Sequence, residues 1–225
     1  MSNKKSIRGA KQTSIIHKKI IHRKAPKQTR SIERFQKILE IAFQTIDEIG
    51  YENTTTDIIA ERCEISVGSL YQFFPNKETI IYTKAEALYL ELHELFFRKI
   101  KLLTQKYKRY SERLIQEILI AFEDTLSEVK GYSILHSILY THPSLLALDQ
   151  LSNERFAKSL AKELLMPLYP RVTKSKALLV ARITVESVDA VYRSLVRSGE
   201  HSRRQKSKIM GELAIFLNAY FKTLT

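Results

Sequence analysis

Thr55, Thr56, Ser66, Val67, Gly68, Ser69, Tyr71, Gln72 and Lys77 crowd into one short segment of a 225-residue chain. Their types suit contact with a charged, grooved polymer better than bond-making chemistry. Ser66, Val67, Gly68, Ser69 and Gln72 would give a short helix a small, polar face. Such a face lets the helix backbone approach closely, as entry into a DNA major groove about 12 Å wide requires. Tyr71 and Lys77 would place a hydroxyl and an ammonium where phosphates pass on either side. Phosphate contacts set register, and base-edge contacts choose sequence.

Catalytic patterns are missing. The histidines His17, His22, His93, His136, His142 and His201 include no i, i+4 pair and no His-Glu-x-x-His. There is no phosphate-cradling glycine loop and no nucleophile elbow. His93 with Glu94 reads as surface, and His136 as core. The lone cysteine, Cys63, can form neither an intrachain disulfide nor a cysteine metal site. It reads as a small core residue of a protein kept in a reducing cytoplasm. The expectation is a non-enzyme with no catalytic residues, no metal and no cofactor.

The elements that must hold the segment are helices. Ile32, Phe35, Leu39, Ala42, Ile46 and Ile49 recur three and four apart from Ser31 onward, with Gly50 as the stop signal. A short helix is expected over Thr56–Cys63, capped by Thr55 or Thr56, and another over Val67–Phe73, capped by Ser66. Ile59, Ala60, Cys63, Ile65 and Leu70 would fix the angle between them. Pro75 ends the third helix, and Asn76 caps a long fourth one from about Lys77 to Thr104. Two short helices joined tightly make a helix-turn-helix.

This stretch resembles the DNA-binding region of the TetR (tetracycline repressor) family. The resemblance is carried by Thr-Thr-x-x-Ile-Ala at Thr55–Ala60, Ser-Val-Gly-Ser-Leu-Tyr at Ser66–Tyr71, then Phe74, then Asn76-Lys77-Glu78, in the family's order over Phe35–Ile80. It implies a homodimer, a three-helix N-terminal reader and a variable ligand-sensing body. It also implies that Thr55 and Thr56 touch phosphates, that Ser66, Val67, Gly68 and Ser69 face bases, and that Tyr71 and Lys77 hold the backbone. Three features depart from the family. Glu64 stands at the usual turn glycine, which costs on the order of 1 kcal/mol if its φ is positive. Phe73 replaces a common aromatic hydroxyl. The basic N-terminal arm is longer.

Further helices are expected over Ser111–Val129, Tyr132–Tyr140 and Pro143–Leu168, the last interrupted near Asn153. Two more carry Leu178, Ala181, Val185, Val188, Tyr192 and Leu195, then Met210, Leu213, Leu217, Tyr220 and Leu224. A basic linker, Gly199–Lys208, would separate them. With Gly 6 and Pro 5, both scarce, and no alternating strand pattern, the fold expected is all-α with about nine helices. Its parts are a basic flexible arm (1–29), a helix-turn-helix domain (30–80) and a helical sensing and dimerisation domain (81–225). The last two helices would form the dimer contact or face the same-chain core. Phe96, Tyr107, Phe122, His136, Tyr140 and Tyr192 are the candidates for an apolar, partly aromatic pocket taking an unidentified small-molecule effector.

The net charge of +13 is concentrated. Residues 1–30 hold ten Lys and Arg and no acid, leaving 27 basic and 24 acidic side chains elsewhere. Such an arm favours double-stranded DNA as partner. No signal-peptide apolar core is expected near the N-terminus, where the apolar runs are only two residues long. The longest uncharged run, Gly131–Leu148, contains Pro143 and two histidines, so it reads as a buried helix and a turn, and no membrane partner is expected. The main reading is a ligand-responsive repressor acting as a homodimer on a palindromic operator. A non-sequence-specific or architectural DNA binder is the alternative, with a protein-interaction adaptor behind it.

Overall fold

The computed structural model describes residues 29–197 and 203–224. The basic arm up to residue 28 and part of the expected linker, residues 199–202, lie outside the described residues. Nine helices are present among the described residues: α1 (Thr29–Ile49), α2 (Thr56–Arg62), α3 (Val67–Phe73), α4 (Lys77–Lys106), α5 (Glu112–Glu128), α6 (Tyr132–Ile138), α7 (Pro143–Leu160), α8 (Lys174–Arg197) and α9 (Arg203–Lys222). α7 continues through a π-helical turn, Ala161–Leu165, into a last turn, Met166–Leu168. It runs unbroken past Asn153, whose amide donates to Asp189 instead of competing with the backbone. The irregularity sits at the π turn, and Ala161, Leu164 and Leu165 are buried there. Arg203–Lys208, expected as linker, is already the start of α9.

The helices build two compact units. One joins the residues up to Leu88 with Ser133–Leu148, and the other joins Tyr89–Tyr132 with Asp149 onward. The boundary therefore differs from a single cut at residue 80. Most of α6 belongs with the first three helices, because Ser137, Ile138 and Thr141 border the same recess as Ile46 and Gly50–Asn53.

In the first unit, Ile38, Leu39 and Ala42 of α1 pack with Ile59, Ala60 and Cys63 of α2, Leu70 and Phe74 around α3, and Ile80 of α4. Burial raises the Cys63 thiol pKa, the opposite of what a reactive thiolate needs. Phe73 is accounted for here. Its ring lies edge-on to Phe35 with centroids 6.3 Å apart, so the position serves packing.

Side-chain caps fix where the reader helices begin. Thr55 accepts from the Ile58 amide, Ser66 from the Ser69 amide, and Asn76 from the Thr79 amide. α2 ends in a Schellman motif: the Ile65 amide donates to Ala60 and the Glu64 amide to Glu61. That motif needs a left-handed residue, and Glu64 supplies it at φ 59°. Glu64→Gly should therefore stabilise the chain by about 1 kcal/mol. The exposed Lys37–Glu64 ion pair at 3.7 Å offsets little of that. Urea unfolding would show the gain, and a lower midpoint in the glycine variant would refute the strain.

Candidate nucleic-acid interface

α3 lies with Leu70 in the core and its N-terminal turn outward. Ser66, Gly68, Tyr71 and Gln72 are exposed, and Val67 and Ser69 are half-buried. Gly68 is informative. A Cβ built there meets nothing within 4 Å, and its backbone is ordinary helix. Neither packing nor a positive φ inside the chain requires glycine at this position. Close approach of an external surface would.

Thr55 is exposed and Thr56 half-buried at the start of α2. The Thr56 hydroxyl lies 3.2 Å from the Tyr71 hydroxyl, which joins α2 and α3 through two groups able to turn towards a phosphate. Tyr71 is 42% exposed. The Ser66 and Ser69 hydroxyls lie 2.9 Å apart. Lys77 is more tied down than its sequence position suggests: its Nζ donates to the Tyr51 carbonyl at 2.8 Å and stands 4.2 Å from the Tyr51 ring centroid. An ammonium has three donors, so two remain for a phosphate. Tyr51, absent from the sequence-based site, is thus the support that positions Lys77. A tyrosine after the helix-ending Gly50 was the available signal.

The second unit contains a cavity of about 80 Å³ with an almost wholly apolar wall. Of the six pocket candidates, Phe96 and Phe122 line it, with ring centroids 5.8 Å apart. Tyr192 stands behind, 6.0 Å from Phe122. The other three are elsewhere. Tyr107 follows the last turn of α4 and donates its hydroxyl to Glu117. Tyr140 is 59% exposed beyond the end of α6, which stops at Ile138. His136 is buried in the first unit. Helical periodicity marks an apolar face but does not say which tertiary space that face borders.

Sequence reasoning missed the polar end of the cavity. Asp149, Ser152 and Asn153 of α7 and Asp189 of α8 all line it. The Tyr89 hydroxyl donates to Asp149 Oδ1 at 2.8 Å, and Arg193 donates to Asp149 Oδ2 at 3.2 Å. Burial first, then the charge of Asp189, pushes the Asp149 carboxyl up to about 6. The i, i+4 pair Asp189–Arg193 along an otherwise apolar stripe was the readable signal.

The stripes expected either to pair two chains or to face the same-chain core turn largely inward. Ala181, Val188 and Leu195 of α8, and Met210, Leu213 and Leu217 of α9, are buried within the single chain. Different residues remain outside: Leu179 and Ile183 on α8, and Ile215 and Phe216 on α9, the last two 62% and 56% exposed.

The model of the tetR family of bacterial regulatory proteins matches residues 38–81. That segment of the chain is a TetR-type DNA-binding domain by this match. The matched segment covers α1 from Ile38, then α2 and α3 and the start of α4, so it contains Thr55, Thr56, Ser66, Gly68, Tyr71 and Lys77. An uncharacterised HTH-type transcriptional regulator of Bacillus subtilis, YhgD, is 40% identical over 50 residues. That stretch is 22% of this chain and 26% of the relative. Among solved structures, one described as a TetR-family transcriptional regulator from Mesorhizobium loti superimposes with a TM-score of 0.69 at 18% identity, covering 87% of this chain and 98% of the other. Another, from Syntrophomonas wolfei, gives 0.63 at 16% identity, covering 84% and 94%. These structural likenesses extend the shared all-helical fold through the second unit. The family is one of regulators rather than enzymes. No described helix is long and apolar enough to cross a membrane.

Proposed function

We propose that the chain is a sequence-specific, ligand-responsive regulator of transcription that acts as a homodimer on a two-fold operator, most simply as a repressor. The observation that carries the reading is the outward first turn of α3, where Gly68 has open space and no intrachain reason to be glycine. Ser66, Val67, Gly68, Ser69 and Gln72 meet base edges. Thr55, Thr56, Tyr71 and Lys77 hold phosphates. The basic arm adds non-specific attraction that weakens with salt.

Dimerisation uses the outer faces of α8 and α9, which leave Leu179, Ile183, Ile215 and Phe216 exposed in the single chain. Two readers then present α3 twice, and a symmetric protein selects a symmetric site. α4 is one continuous helix with Lys77 in its first turn and Tyr89, Leu92 and Phe96 on the cavity wall. An effector that fits one position of α4 better than another shifts the population of DNA-competent dimers by that difference in affinity.

Selection of bound fragments from a random DNA pool tests the proposal. Enriched fragments should share a palindrome. Tight, strongly salt-dependent binding with no common sequence would instead support the architectural alternative.

A further inference from the structure

The cavity of the second unit is apolar along most of its wall and charged at one place. Asp149 and Asp189 both line it. They share one guanidinium: Arg193 reaches Asp149 Oδ2 at 3.2 Å and Asp189 Oδ2 at 2.6 Å. Two carboxylates against one guanidinium leave a local charge of about −1 in a water-poor site, where an uncompensated charge is costly.

The partners of the carboxylate oxygens show where that charge is available. Tyr89 and Arg193 occupy the two oxygens of Asp149, and Asn153 and Arg193 both occupy Asp189 Oδ2. Among the described residues, Asp189 Oδ1 accepts no hydrogen bond, although Asp189 is only 8% exposed. Ser152 lies one residue from Asn153, borders the same cavity, is 6% exposed, and likewise has no hydrogen-bond partner among the described residues. Neither Asp189 Oδ1 nor Ser152 Oγ is sealed from solvent as the buried, unpartnered Tyr169 hydroxyl is, and two accessible, unpartnered oxygens lining one cavity mark a place for a donor.

The rest of the wall narrows the choice. Tyr89, Phe96, Phe122 and Phe156 offer ring faces and edges, which suit hydrocarbon and, at their faces, positive charge. No group of three or more His, Cys, Asp or Glu among the described residues could hold a metal ion. An anion would meet net negative charge and an arginine already engaged by two carboxylates.

We propose that this cavity binds a slender organic cation, an apolar amine whose protonated nitrogen donates to Asp189 Oδ1 and Ser152 Oγ while its hydrocarbon lies along the aromatic wall. This deepens the reading of the cavity as the effector site and rests on it for any regulatory consequence. The binding itself does not.

The test uses three probes with one skeleton and different charge, each short enough for a cavity of about 80 Å³: n-propylamine, propan-1-ol and propionate. Each is titrated calorimetrically into the full chain at neutral pH. The amine should bind at least about tenfold more tightly than the alcohol, and the acid more weakly than either. Asp189→Asn should weaken the amine at least about tenfold and leave the alcohol within about twofold. Equal affinities, preference for the acid, or no heat from the amine up to millimolar concentration would overturn the proposal. The charge series on the unaltered chain decides the matter even if Asp189→Asn does not fold. DNA affinity is measured separately with and without amine. Amine binding that leaves DNA affinity unchanged upholds the cation site and refutes its role as effector site.

Discussion

Gly68→Leu is expected to abolish specific DNA recognition while leaving the chain as stable as before, or more so. In the free protein the new side chain enters open space, since even a Cβ at Gly68 meets nothing within 4 Å. Exchanging glycine for a good helix former inside α3 favours the folded state by up to about 1 kcal/mol. On DNA the same side chain projects from the turn that must sit against base edges. It would hold the helix away from the groove floor and break the contacts of its neighbours Ser66, Val67 and Ser69. Losing one or two well-made base contacts, at about 1–3 kcal/mol each, is a drop of about a hundredfold or more. Fluorescence anisotropy on a fragment selected by the unaltered chain reads the affinity, and a thermal melt reads the stability. Full affinity in a stable Gly68→Leu chain would remove the first turn of α3 from the interface. A simple folding defect predicts the opposite pairing, with the melt falling first.

The second large effect concerns assembly. A chain carrying both Ile183→Glu and Phe216→Glu should sediment as a monomer at micromolar concentration, where the unaltered chain sediments as a dimer. Both side chains are exposed in the single chain, at 42% and 56%, so replacing them removes little intrachain packing. The far-ultraviolet dichroism should not change. In a dimer across α8 and α9, each glutamate would become a buried carboxylate without a partner, which costs several kcal/mol. Affinity for a palindromic fragment should fall with dimerisation, because each monomer then engages a single half-site. A dimer that persists with both glutamates in place would move the interface away from these two helices.

Helices α1 to α3 and the start of α4 were legible in the sequence, because their signals are local. Capping by Thr55, Ser66 and Asn76 depends on oxygens within three residues of the amides they accept from. The ends of α2 and α3, and the left-handed conformation of Glu64, follow from those caps and from the short turn between them. The outward set on α3 follows from helical phase once Leu70 is placed in the core. Lys77 shows the limit of such reasoning. Its position was clear, but its hold on Tyr51, 26 residues away, was not.

The second unit obeyed a different rule. The stripes on α8 and α9 were visible as apolar faces, yet periodicity cannot say whether a face meets its own chain or another. Folding turned Ala181, Val188 and Leu217 inward and left Ile183 and Phe216 outside. The cavity likewise draws its wall from α4, α5, the first residue of α6, α7, α8 and α9, so the choice of Phe96 and Phe122 over Tyr107, His136 and Tyr140 depended on how distant segments pack. Asp149 and Asp189, 40 positions apart, share Arg193 only because α7 and α8 come together. What the chain alone determined, then, was its helical class, the reader and the residues that reader presents, since caps, turns and helical phase act over a few residues. The cavity, its charged end and the free faces of α8 and α9 were decided by tertiary packing, because they depend on contacts between segments far apart along the chain.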